Sequence, residues 1–164
     1  MKKLFYSLMA AVLLFVAACG AVDGAKDGVA AGKEFAEAYK TANGDPQALV
    51  NAFNAVQTKY AVAHAQGGKA ELAGYLGGVM SELEESGNSS VAGTFFGIML
   101  GNAQKTGQGA NEVQAMVDNI KEKNAKDKAA FQAAVDQAVA WYTAPAAPAQ
   151  ETAEEPAEAE GEEE

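Results

Sequence analysis

The chain contains no arginine, one cysteine, one histidine, and no proline between Pro46 and Pro145. Each scarcity excludes something. Nucleic-acid binding relies on clustered Lys and Arg to displace counterions, so a chain without Arg and with a formal charge of −10 is disfavoured for that role. A single Cys cannot form a disulfide within the chain. A lone His64, with no HxxxH pair and no CxxCH, offers no metal or haem signature. There is no convincing alternation of apolar and polar residues and few β-branched runs, which argues against a sheet. No apolar run reaches the roughly 20 residues a membrane-spanning helix needs.

What is present divides into four stretches. Residues 1–18 have the order of a secretory leader, with Lys2-Lys3, then an almost wholly apolar Leu4–Val16, then small residues before Cys19. Residues 19–24 are expected to be a tether and residues 25–144 a helical domain. Residues 145–164 are Ala/Pro/Glu-rich, hold 8 of the 22 acidic residues and no Lys, and are expected to be disordered. Between them, residues 19–144 hold 14 acids against 10 Lys, a net of −4, so the domain itself is only mildly acidic.

The residues Val16-Ala17-Ala18-Cys19 resemble the bacterial lipobox, with Val16 where Leu is commonest, and residues 1–19 resemble a lipoprotein signal peptide of a style found in Bacteroidota. The resemblance implies a diacylglycerol on the Cys19 thiol, cleavage before Cys19 and acylation of the new amino group. It also implies an outer- rather than inner-membrane address, because Gly20 stands where inner-membrane retention usually has Asp. Two or three acyl chains, at about 0.8 kcal/mol per buried CH₂, are enough to hold a soluble domain.

The domain reads as all-α, a compact bundle of five or six helices. The first is expected from Ala25 to Ala42, with Val22, Val29, Phe35, Ala36 and Tyr39 near one stripe, and Asn43-Gly44 at its end. Asp45 caps the second, Pro46 occupies its first position, and Leu49, Phe53, Val56, Tyr60 and Ala63 form its inner face before Gly67-Gly68. The third, Lys69 to Glu85, turns Leu72, Tyr75, Leu76, Val79 and Leu83 inward. The fourth, Ser90 to Lys105, carries Val91, Phe95, Phe96, Ile98, Met99 and Leu100 and is apolar nearly all round, as a central helix should be. The fifth starts at Asn111 as cap, with Val113, Met116, Val117 and Ile120. The sixth runs from Asp127 to Tyr142, with Phe131, Val135, Ala138, Val139 and Tyr142 inward.

Glycines recur every fourth residue at Gly20, Gly24, Gly28 and Gly32, at Gly74 and Gly78, and at Gly93, Gly97 and Gly101. Such grooves let helix backbones approach closely, and the last set resembles the glycine zippers of some membrane-associated proteins. Its run is too short to span, so Gly93, Gly97 and Gly101 are read as packing positions inside the bundle. The N-terminal set is read as flexibility in the tether. His64 is read as a cation near a helix C-terminus, and Met80, Met99 and Met116 as core filler. Glu82, Glu84 and Glu85 read as a solvated helix end rather than a Ca²⁺ site, and Lys121, Lys123, Lys126 and Lys128 as a solvated mixed-charge face. Asn88-Ser89-Ser90 spells a glycosylation acceptor but reads as a turn and cap.

The expected role is a lipid-anchored binding or scaffold protein of the cell envelope. Its partners are membrane lipid through Cys19 and an envelope protein, with no cofactor, no metal and no nucleic acid. A small-ligand carrier with a cavity between helices is one alternative. An envelope enzyme without a recognisable motif is another, and no nucleophile with an attendant base is visible to support it.

Overall fold

A computed structural model describes residues 22–65, 69–107 and 109–143. Cys19, Gly20 and the tail from residue 145 lie outside them. The described chain is all-α, with helices α1 Val22–Ala42, α2, α3 Lys69–Ser86, α4 Ser89–Thr106, α5 Ala110–Asn124 and α6 Lys128–Thr143. Helix α2 is composite. It begins as Pro46–Val56, passes through the π-helical turn Gln57–Ala61 and ends as Val62–Ala65.

The helix ends follow local chemistry. Asn43 and Gly44 both take positive φ, 48° and 84°, and turn the chain after α1. The Asp45 side chain accepts from the Gln47 amide and Pro46 opens α2, so an unpaired donor is satisfied and the missing N–H costs nothing. Asn88 caps α4, accepting from the Ser90 and Val91 amides at 2.9 and 3.2 Å. Asp127 does the same for α6 through the Ala129 and Ala130 amides. Three starts differ from expectation. Helix α1 begins at Val22 rather than Ala25, so residues 22–24 belong to the bundle and not to the tether. Helix α4 begins at Ser89, directly after its cap. Helix α5 has Gly109, with φ 67°, in the cap position, and Asn111 lies inside the helix.

The glycines organise the packing. A side chain at Gly24 would strike the Glu71 carbonyl, one at Gly28 the Tyr75 carbonyl, and one at Gly32 the Val79 carbonyl and Glu82. Gly78 faces the Ala25 carbonyl in return. Both sets of contacts ascend together, so α1 and α3 run parallel in backbone-to-backbone contact, with α2 returning between them. Helices α4 and α6 repeat the arrangement. Gly93 seats on the Phe131 carbonyl, Gly97 on Val135 and Ala138, and Gly101 on the Tyr142 ring. The molecule is thus two up-down-up units, each built on a close parallel pair of its first and third helices. Gly93, Gly97 and Gly101 pack inside the bundle as the sequence suggested. Gly24, Gly28 and Gly32 do not loosen a tether; they let α1 lie on α3.

Helix α4 is central, and residues Val91 to Gly101 along it are all buried. Phe95 joins the two units, with its ring 5.1 Å from Phe35 on α1, 4.9 Å from Phe53 on α2 and 5.4 Å from Phe96. The expected inner faces of α3 and of the first part of α2 are buried. Val29 is a correction, since it is 40% exposed. The face of α1 that turns inward is the glycine face with Ala31, Phe35 and Ala36, because the backbone of α3 occupies the space a Val stripe would have filled. No described helix is long and apolar enough to cross a membrane.

Candidate functional site

A group of interacting polar side chains lies where α1, α2 and α3 meet. His64 on α2 is 6% exposed. Its Nε2 lies 2.7 Å from Asp27 Oδ2 on α1, and its Nδ1 lies 3.7 Å from Glu71 Oε2 on α3. The imidazole stacks on the Tyr75 ring with centroids 6.0 Å apart and planes 22° apart. About two turns further along α1, Glu34 accepts from Lys59 Nζ at 2.7 Å and from the Tyr60 hydroxyl at 3.1 Å. The Lys59 bond holds the Glu34 carboxyl below the usual carboxylate range. Burial pushes the Tyr75 phenol well above its ordinary value, with the Asp27 carboxylate adding to it. The Tyr75 hydroxyl and Gln57 Nε2 are buried without a hydrogen-bond partner among the described residues.

The π-helical turn places His64. In an unbroken α-helix of 3.6 residues per turn, His64 would point about 60° away from Leu49. The wider turn at Gln57–Ala61 winds the later residues back from the Phe53 side of that face towards the Val56 side. His64 therefore does not lie at a solvated helix end. It is a buried clasp between two neighbouring helices.

The chemistry this arrangement allows is limited. A neutral imidazole donates through one nitrogen, and only the protonated ring donates through both. Asp27 already occupies Nε2. Among the described residues no three His, Cys, Asp or Glu side chains are grouped to hold a metal ion. The cluster is thus suited to positioning helix ends. Replacing His64 by Ala should cost about 2 kcal/mol of stability, chiefly through lost ring packing, since the half-exposed Asp27 contributes a screened interaction. Amide exchange should accelerate in residues 22–30, and unchanged exchange there would show that the clasp does not secure α1.

A second polar group ties the interhelix turns together. Glu84 is 8% exposed and accepts from Ser89 Oγ at 2.9 Å and from the Lys126 amide at 3.3 Å. Ser89 Oγ in turn accepts from the Asp127 amide at 2.9 Å, and Lys126 Nζ reaches the Glu84 carbonyl at 3.1 Å. Glu84 is thus not part of a solvated end. It joins the α3–α4 turn to the α5–α6 turn. Of the expected mixed-charge face, Lys121 bonds Gln132 and Lys128 bonds Glu122. Met80, Met99 and Met116 are buried in the apolar core, as filler should be.

Sequence reading missed Asp27, Glu71, Tyr75 and Ser89 as partners. No spacing signal pairs them: Asp27 and Glu34 are seven residues apart on α1, whereas their partners His64 and Lys59 are five apart on α2. Cys19, the residue expected to carry lipid, lies outside the described residues.

The chain matches no family model, and no curated protein or solved structure is significantly similar to it.

Proposed function

We propose that this chain is a bacterial lipoprotein, an all-α domain held on the cell envelope by lipid on Cys19, where it acts as a binding or scaffold module. The observation that carries the reading is the order Lys2-Lys3, apolar Leu4–Val16 and Val16-Ala17-Ala18-Cys19. The outer membrane is favoured by Gly20. A module of this kind needs a rigid body near the membrane, and the described bundle supplies one, with buried clasps at His64 and Glu84 and close-packed helix pairs. Its glycine grooves are occupied by its own helices, so a partner would meet other surfaces.

The test is Cys19→Ala expressed from the full chain. The variant should move to the soluble fraction and lose all fatty-acid labelling, while keeping the helical signal of the parent. Continued labelling would sink the anchor. Crosslinking of the parent in intact envelopes should then recover a distinct protein partner. Recovery of the chain alone would remove the binding or scaffold role while leaving the anchor intact.

A further inference from the structure

We propose that the end of the bundle made by the start of α1, the end of α2 and the start of α3 is the face that lies against the lipid headgroups. This rests on acylation of Cys19 as proposed above and adds an orientation to it. Val22, the first residue of α1, stands three positions after Cys19. Three residues span at most about 10 Å however they are arranged. Asp27 stands five positions further on, adding roughly 8 Å at 1.5 Å per residue. The other end of α1, at Ala42, is about 30 Å from its start.

A short leash orients a domain when the element it holds cannot swing alone. Helix α1 cannot. Its glycines Gly24 and Gly28 seat directly on the Glu71 and Tyr75 carbonyls of α3, and Asp27 is bonded to His64 at the end of α2. Fixing Val22 near the membrane therefore brings Val62, His64 and Glu71 with it. Helix α2 runs antiparallel to α1, since Lys59 pairs with Glu34 and His64 with Asp27, which puts the end of α2 at this face and its start at the opposite one.

The chemistry of the face fits a headgroup zone held by the leash rather than by charge. Val62, on the last turn of α2, is 46% exposed, one of two large apolar side chains so exposed among the described residues. The charged residues of these helix ends are Asp23, Lys26, Asp27, Lys69 and Glu71, three acids against two lysines. Anionic lipid would not attract such a face, so the short span from Cys19, and not charge, holds it at a zwitterionic headgroup surface.

The experiment uses the full lipidated chain in vesicles of phosphatidylcholine, alone or with phosphatidylglycerol, containing a lipid with a nitroxide on its headgroup. A fluorophore is attached through Asp23→Cys, Val62→Cys or Lys40→Cys, in variants that keep the parent's melting temperature; acylated Cys19 does not react. Quenching at positions 23 and 62 should exceed that at 40 severalfold in both lipid mixtures. A flexible Gly/Ser linker inserted after Gly20 should abolish the difference. Equal quenching at the three positions, or stronger quenching at 40, overturns the orientation even where fatty-acid labelling of Cys19 is intact. A difference that appears only with phosphatidylglycerol overturns the leash as its cause. Absence of fatty acid on Cys19 is read separately, by labelling, and overturns the anchor on which the orientation rests.

Discussion

Gly97→Ala should destabilise the domain by about 2 kcal/mol, although alanine is the better helix former by about 1 kcal/mol. A Cβ at Gly97 would sit 2.8 Å from the Val135 Cα and carbonyl oxygen and from the Ala138 Cβ. Those are mostly backbone atoms and cannot rotate aside, so helices α4 and α6 must part. Overpacking of this kind costs about 1–3 kcal/mol and occasionally more, and the rigid neighbours place it at the upper end. Gly97→Leu, with a larger side chain in the same space, should leave no cooperative transition. The control is Gly77→Ala on α3. Gly77 is exposed and a Cβ there meets nothing within 4 Å, so the same change should stabilise by about 0.5–1 kcal/mol. Denaturant unfolding of the three variants decides the matter. Equal stabilisation at Gly77 and Gly97 would mean that α4 and α6 are not in backbone contact.

Phe95→Ala should cost about 3–5 kcal/mol, the range for a buried aromatic removed from a core. Phe95 is fully buried and meets Phe35, Phe53 and Phe96 in edge-on geometry. These pairs add something beyond area burial, and the three partners come from α1, α2 and α4 itself. Loss of the ring removes the aromatic contact between the two up-down-up units and leaves the Glu84 link to the α5–α6 turn, so the coupling between the units should weaken. The checks are a lowered midpoint in denaturant and a reduced slope, which signals lost two-state behaviour. A loss under about 1 kcal/mol with an unchanged slope would show that the units are joined elsewhere.

Much of the bundle was legible because it is written locally. The Asp45-Pro46 start, the Asn43-Gly44 stop, and the 3.6-residue apolar repeats of α3 and α6 are short-range signals, and they mark the observed elements. The apolar surround of α4 announced its central place. What was not legible depends on register between helices distant in sequence. Asp27 and His64 are 37 positions apart, and nothing near either residue names the other. Glu84 looked solvated because its neighbours Glu82 and Glu85 are acidic, yet the α5–α6 turn, about 40 residues later, supplies its donors. The N-terminal glycines looked like flexible spacing for the same reason. Glycine every fourth residue has meaning only once a facing helix is identified. The π-helical turn has no composition signal at all.

Cys19 is proposed to carry lipid and to be the first residue of the mature chain. The direct measurement is the intact mass of the protein extracted from membranes, together with fragmentation of its N-terminal peptide. The expected result is a chain that has lost residues 1–18 and carries a diacylglycerol on the Cys19 sulfur, with a further acyl group on its amino nitrogen. A membrane-extracted chain with residues 1–18 still attached, or one beginning elsewhere with an unmodified Cys19 thiol, would contradict it.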